Sequence, residues 1–339
     1  MRKIILIVLA MLLVAVPAFA QMSEKTIADI VVESAGAETP EFATLLAAVS
    51  AADPAVLEAL SNPESELTVF APTDAAFAAL AEALGEEAFN GVLADQAALT
   101  NILLFHVTAG KVMSADVVAA LEANEGAFAV PSLQGQYIDI TSDDMGVYIN
   151  GAALNLEMVD IEASNGVIHV IESVILPESR TIADIVVESA GAETPEFSTL
   201  LAAVSAADPA VLETLSNAEA ELTVFAPTDA AFAALAEALG EEAFNGVLAD
   251  QAALTNILLY HVVPSVVRSG DLSALLEEHM SMSEEPLMVD TALDGAQVAF
   301  MVAEDGSVKI NDATIVITDI DAANGVIHVI DAVILPPSE

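Results

Sequence analysis

The spacing of apolar residues changes character partway along each half of the chain. In TIADIVVESAG, Ile27, Ile30 and Val31 recur at intervals of three and four, which predicts a helix over 26–34. Helical spacing returns over 41–51 and over 53–60, the latter opened by Asp53 as cap and Pro54 as first helical residue. Leu67-Thr68-Val69-Phe70 is β-branched and aromatic and reads as a strand that Pro72 stops. Thr73 or Asp74 then caps a helix whose Phe77, Leu80 and Leu84 share one face before Gly85. Further helices are expected over 86–94 and 96–104, followed by the short apolar piece Phe105-His106-Val107 and a helix capped by Ser114. Beyond it the pattern turns to alternating or fully apolar runs over 136–141, 146–150, 154–161 and 166–176, divided by Asp-Asp, Asn-Gly and Ser-Asn-Gly turns. Helices first and an antiparallel meander later define an α+β class.

The whole pattern occurs twice. TIADIVVESAGAETPEF begins at Thr26 and again at Thr181, and that offset of 155 holds through His106 and His261. Within this span the copies differ only at Ala43/Ser198, Ala59/Thr214, Pro63/Ala218, Ser65/Ala220 and Phe105/Tyr260. Each copy closes on NGVIHVI, from Asn165 and from Asn324, where the offset has grown to 159. Units this long are duplicated domains and not the 20–50-residue repeats of a solenoid. The boundaries fall at 23–177 and 180–336, and the joint Glu178-Ser179-Arg180 is too short for a flexible linker. The copies diverge between Thr108 and Ala152 and between Val263 and Ala313, where the second gains Met280, Met282, Met288 and Met301. Core filling accounts for such methionines, and a partner-facing surface would use them too.

Composition adds three restrictions. The 339 residues contain no cysteine, so disulfides, thiolate chemistry and Cys-based zinc sites are excluded and packing alone must stabilise each domain. The formal charge of −45, from 52 acidic residues against 7 basic ones, repels phosphate backbones and argues against a nucleic-acid partner. Finally, Arg2-Lys3, the apolar run after them and Ala18-Phe19-Ala20 read as a signal peptide over 1–20. Acidic residues interrupt every later apolar run, so no stable membrane insertion is expected after cleavage. The expected location is extracellular, with a periplasmic or cell-surface-associated protein as the variant.

Catalytic signatures are missing from the sequence. Neither a Gly-x-Ser-x-Gly elbow nor a Walker glycine loop occurs, and no His-x-His or His-Glu-x-x-His spacing supplies metal ligands. The expectation is therefore no enzyme, no metal and no cofactor. His106, His169, His261 and His328 read as structural hydrogen-bonding residues, and His279 as a surface residue. Asp74 and Asp229 sit in strand-to-helix corners, where they either cap a helix or pair with His106 and His261. Asp319–Gly325 lacks the spacing and distal acid of a calcium loop and reads as a turn.

Three separated motifs carry a resemblance: TVFAPTDAAF, then Leu-Phe-His-Val or Leu-Tyr-His-Val, then NGVIHVI followed by Val-Ile-Leu-Pro. In this order, and twice, they resemble the fasciclin domain family. The resemblance implies a wedge of seven β-strands flanked by helices, in secreted or surface-attached proteins whose usual role is adhesion or matrix contact without enzymatic activity. It also implies a receptor-binding part for the Tyr-His region of some animal members. Tyr260-His261 matches that pair, whereas Phe105-His106 lacks the phenolic hydroxyl. The expected function is a secreted tandem-domain protein that binds a cell-surface or matrix protein or polysaccharide, with cations bridging acidic groups. The alternative is a small-molecule or lipid carrier with a pocket between helices and sheet.

Overall fold

A computed structural model describes residues 25–124, 126–283, 285–303 and 305–337; the expected signal peptide lies outside them. The chain divides between Pro177 and Glu178 into two compact units.

In the first unit, α1 (Ile27–Ala35) opens on a capping box. The Asp29 N–H donates to the Thr26 hydroxyl at 3.3 Å and the Thr26 N–H to the Asp29 carboxylate at 2.9 Å. Helices α2 (Ala43–Ala51) and α3 (Pro54–Ser61) follow, with Asp53 capping α3 at Ala55 N. Strand β1 (Leu67–Pro72) is buried throughout and turns through Thr73, the cap of α4 (Asp74–Leu84). Then come α5 (Glu86–Ala94), α6 (Gln96–Phe105), the short β2 (Val107–Ala109) and α7 (Ser114–Ala123). Ser114 is the first residue of α7 and not its cap.

The second part of this unit is made of strands: β3 (Ala127–Pro131), β4 (Tyr137–Ser142), β5 (Val147–Ile149), β6 (Ala152–Ala153), β7 (Ile161–Ala163) and β8 (Gly166–Ile171). They form two four-stranded sheets, β2-β1-β8-β7 and β3-β4-β5-β6. In the first sheet β1 and β8 run parallel. Two expectations are corrected here. The run 154–161 is not one strand, and the last strand ends at Ile171; β3 was not expected at all. The helices bury Ile27, Val31, Leu45, Leu60 and Leu103 against β1 and β8, while Phe70, Phe105, Ile138, Ile140 and Ile149 fill a second core over the meander.

The second unit repeats the helical part as α8 (Ile182–Ala190), α9 (Ser198–Ala206), α10 (Pro209–Ser216), β9 (Leu222–Pro227), α11 (Asp229–Leu239), α12 (Glu241–Ala249), α13 (Gln251–Tyr260) and β10 (Val262–Val263). Its α14 (Ser269–Met282) has 14 residues against the 10 of α7. Strands β11 (Leu287–Asp290), β12 (Gln297–Val302), β13 (Val308–Ile310), β14 (Ala313–Ala322) and β15 (Gly325–Ile330) join β9 and β10 in one seven-stranded sheet, order β10-β9-β15-β14-β13-β12-β11.

One glycine is obligatory in each unit. A Cβ on Gly166, at φ +152°, would lie 2.0 Å from the Leu67 carbonyl oxygen, and on Gly325, at φ +146°, 1.9 Å from that of Leu222. The Asn-Gly of NGVIHVI is thus required by the close approach of β1 to β8 and of β9 to β15.

Candidate functional site

The strand-to-helix corner brings together most residues singled out from the sequence. Asp74 does not cap its own helix, because Thr73 does that at Ala76 N (3.1 Å). Its carboxylate instead accepts from Ala43 N at 3.2 Å and Thr44 N at 2.7 Å, capping α2 from thirty residues downstream, where Phe42 offers no side-chain cap. Asp229 caps α9 through Ser198 N and Thr199 N at the same two distances. Partial burial alone would raise the Asp229 pKa, but the donors on Thr199 and Ser198 outweigh it and the net shift is downward.

No Asp–His pair forms at this corner. His106 Nδ1–H donates to Ile102 O at 2.7 Å and its Nε2 accepts from Ile175 N at 3.2 Å. His261 makes the same two bonds, to Ile257 O and from Ile334 N, at the same distances. Both rings are buried, and that desolvation pushes each pKa down to about 4 against the opposing pull of the carbonyl. They are neutral linkers between α6 and the segment after β8, and between α13 and the segment after β15.

All four residues of the matching Phe-His and Tyr-His pairs lie inside the protein: Phe105, His106, Tyr260 and His261 each expose 3% of their surface or less. The Tyr260 hydroxyl donates to Gln297 O at 2.8 Å and accepts from Asn311 Nδ2 at 3.0 Å. In the folded domains none of these side chains is within reach of a partner.

In a second constellation His169 and His328 are hydrogen-bonded as expected, while the part of Asp160 and Asp319 escaped the sequence reading. Asp160, held at φ 54°, accepts from Ser114 N at 2.7 Å and from the Ser114 hydroxyl, so it caps α7 from the start of β7. Its own N–H donates to His169 Nδ1 at 3.3 Å, and His169 Nε2–H donates to Val112 O at 2.8 Å. Asp319, Ser269, His328 and Val267 repeat the arrangement in the second unit. Burial lowers the pKa of both histidines, partly offset by the bonds to Val112 and Val267. This Ser, Asp and His set cannot act as a hydrolytic triad, because the serine hydroxyl points at the carboxylate and both imidazole nitrogens are occupied by backbone. The signal was the Asp-Ile-(Glu or Asp)-Ala before each terminal Asn-Gly. A third staple is Asn165, whose Oδ1 accepts from Ile27 N while Nδ2 donates to Leu60 O and Asn62 O; Asn324 does the same.

Among the described residues no three His, Asp or Glu side chains converge as a metal site, and no single helix is long and apolar enough to cross a membrane. The hollow between α1, α2, α3 and β1 measures about 30 Å³ and is lined by apolar side chains and His106. A larger hollow of about 690 Å³ is an open groove between α3 and α6, with Asp53, Gln96 and Asn101 on its walls.

Comparison with known proteins agrees with the motifs. The fasciclin domain model matches residues 40–177 and again 195–336. The chain belongs to the fasciclin domain family, as a tandem pair. Protein sll1483 of Synechocystis sp. is 39% identical over 171 residues, covering 49% of this chain and 82% of that protein. Transforming growth factor-beta-induced protein ig-h3 of Sus scrofa is 29% identical over 282 residues, 82% of this chain and 36% of its own length. The chain thus spans about a third of ig-h3. A solved FAS1 domain pair from the insect cell adhesion molecule fasciclin I covers 89% of this chain and 98% of its own at 20% identity, with a TM-score of 0.40.

Proposed function

We propose that this is an exported, non-enzymatic binding protein that attaches to a cell-surface or matrix protein or polysaccharide through two linked fasciclin domains. The observation that supports it best is where the polar side chains are spent. Every histidine and aspartate of the corner and of the second constellation is consumed in bonds inside its domain, which leaves the acid-rich outer surface as the part available to a partner. Two modules joined by three residues act at high effective concentration on a target that repeats at the right spacing, so doubling raises avidity without a new contact. The carrier reading is less well supported: a 30 Å³ void is about the size of one or two waters and admits no acyl chain unless the helices part.

The test is a pull-down of the purified chain with matrix polysaccharide, matrix protein and whole cells, beside native mass spectrometry for a co-purified small molecule. Saturable binding that weakens in chelator and has no accompanying ligand mass is expected. A stoichiometric ligand mass without surface binding would replace this reading with the carrier. Carboxylate repulsion should also make the melting temperature rise with NaCl, and rise further with CaCl₂ at equal ionic strength if cations bridge acidic groups. Unchanged melting points would remove the cation-bridged mode.

A further inference from the structure

Each domain consists of a helical half, residues 26–106 or 181–261 with the following short strand, seated on a sheet half. Along the parallel strand pair and the staples the surfaces that meet are the same in both copies, while under Phe70 and Phe225 the sheet offers Ile138 and Ile140 in domain one and Val298 and Phe300 in domain two. The parallel pair is LTVFAP on GVIHVI in each, with Leu67 opposite Gly166 and Pro72 opposite Ile171, as Leu222 is opposite Gly325 and Pro227 opposite Ile330. The asparagine staple spans 2.8, 2.9 and 3.0 Å in domain one and 2.9, 2.9 and 3.0 Å in domain two. The histidine link to Ile175 N or Ile334 N is 3.2 Å in both.

Of the five positions at which residues 26–106 and 181–261 differ, only Phe105/Tyr260 is buried, and the short strand that follows adds one more buried difference, Thr108 against Val263. Two hydroxyls therefore carry what a helical half has to tell its own sheet half from its twin: the one Tyr260 places between Gln297 O and Asn311, and that of Thr108, which donates to Pro131 O at 2.7 Å where domain two has Val263.

We propose that the helical half of domain one in one chain seats on the sheet half of domain two in a second copy, joining chains through exchanged domains. The covalent connection favours closure within a domain, at an effective concentration on the order of millimolar, so exchange is reached when chains fold side by side at high concentration. Such assemblies carry more than two binding modules and extend the avidity of the pair.

The chain has no native cysteine, which makes cross-linking selective. Ala71 lies opposite Val170, and Val329 opposite Ala226, and Ala71 and Val329 are both buried. Chains carrying Ala71→Cys and chains carrying Val329→Cys are mixed, unfolded together, refolded under reducing conditions from dilute to millimolar protein, and oxidised only after folding is complete. Only the exchanged pairing sets these two positions opposite each other, and neither is accessible to chance encounters between folded chains. A disulfide-linked heterodimer that grows with concentration is expected, and none when the chains are folded before mixing.

Ala71→Cys with Val170→Cys in one chain serves as control for the strand geometry. Adding Phe105→Tyr to the Ala71→Cys chain supplies the hydroxyl that the second sheet half receives from Tyr260. It should raise the heterodimer yield roughly two- to twelvefold, the weight of one buried hydrogen bond. Absence of the heterodimer at every concentration, while the control cross-links and both single variants fold, would overturn exchange. A yield indifferent to Phe105→Tyr would overturn the hydroxyl as its selector.

Discussion

The two domains start from nearly one sequence and finish with different sheets. In domain two, β14 is one ten-residue strand, with register shifts between Ile315 and Ile317 and between Ile317 and Ile320, and ties seven strands together, whereas in domain one the corresponding stretch is cut into β6 and β7. The cause is two residues. Between the paired turn asparagines the offset falls from 161 (Asn150/Asn311) to 159 (Asn165/Asn324). The surplus is Leu156-Glu157, extruded while Asn155 N donates to Val170 O at 2.9 Å and Val170 N to Met158 O at 3.0 Å. Asn155 Oδ1 closes the extrusion by accepting from Glu157 N at 3.0 Å. In domain two the equivalent Val329 faces Ile317 alone. Pairing resumes on either side, so the insertion interrupts the sheet without disturbing the core beneath it.

Charge is handled just as differently at one shared position. Glu162 of domain one and Asp321 of domain two correspond. Glu162 meets Lys111 at 2.8 Å in an exposed pair, whereas Asp321 meets Arg268, which is buried and stands where domain one has Met113. Burial raises the Asp321 pKa against the opposing Arg268 charge. A cation moved by two positions along the chain turns a solvated pair into a desolvated one.

The largest expected effect tests whether the two domains are separate cooperative units. Gly166→Ala drives a methyl into the Leu67 carbonyl, which only backbone movement can relieve, and should cost on the order of 4 kcal/mol or more. Calorimetry should show the domain-one transition lost and the domain-two transition kept; loss of both together would show a single cooperative unit. Arg268→Met, which installs the domain-one residue, leaves Asp321 without its partner and should destabilise domain two alone by about 3 kcal/mol. Adding Asp321→Asn should recover most of that in urea titrations at neutral pH, and no recovery would mean that Arg268 acts through packing.

Acid should affect the domains equally through His106 and His261. Each has a folded pKa of about 4 against an unfolded value near 6.5, so the unfolded chain takes the proton first as pH falls. The stability each ring contributes is complete above pH 6.5 and is lost between 6.5 and about 4, at about 1.4 kcal/mol per pH unit. Denaturation at pH 6.5 and 5, above most carboxylate titration, should show about 2 kcal/mol lost per domain from this ring. His261→Gln should flatten the slope of domain two only; an unchanged slope would assign it to other groups.

Tyr260→Phe restores the domain-one residue and should cost about 1 kcal/mol by leaving Asn311 Nδ2 without its acceptor. A neutral result would show that water replaces the hydroxyl. Smallest of all, Lys111→Ala should cost less than about 1 kcal/mol and vanish in high salt, in contrast to Arg268→Met.

Features encoded within a few residues were legible in the sequence: the duplication, the Asp53–Pro54 helix start, the β1 corner and the Asn-Gly turns all follow from local backbone chemistry. Class and family followed from their order. What the chain could not disclose locally was which partner each polar group would find. Asp74 was visible as a capping residue, yet the helix it caps begins thirty residues earlier, because folding brings Ala43 and Thr44 to its carboxylate. Asp160 looked like one acid among 52 until β7 carried it to Ser114. Tyr260-His261 stood out as a motif, and only the packing of α13 against the sheet put it out of reach of a partner. Sequence determines propensity, capping and turn chemistry because these act between neighbours on the chain. Tertiary structure decided burial, register and long-range hydrogen bonds, because their energies depend on groups that are distant along the chain until the fold is complete.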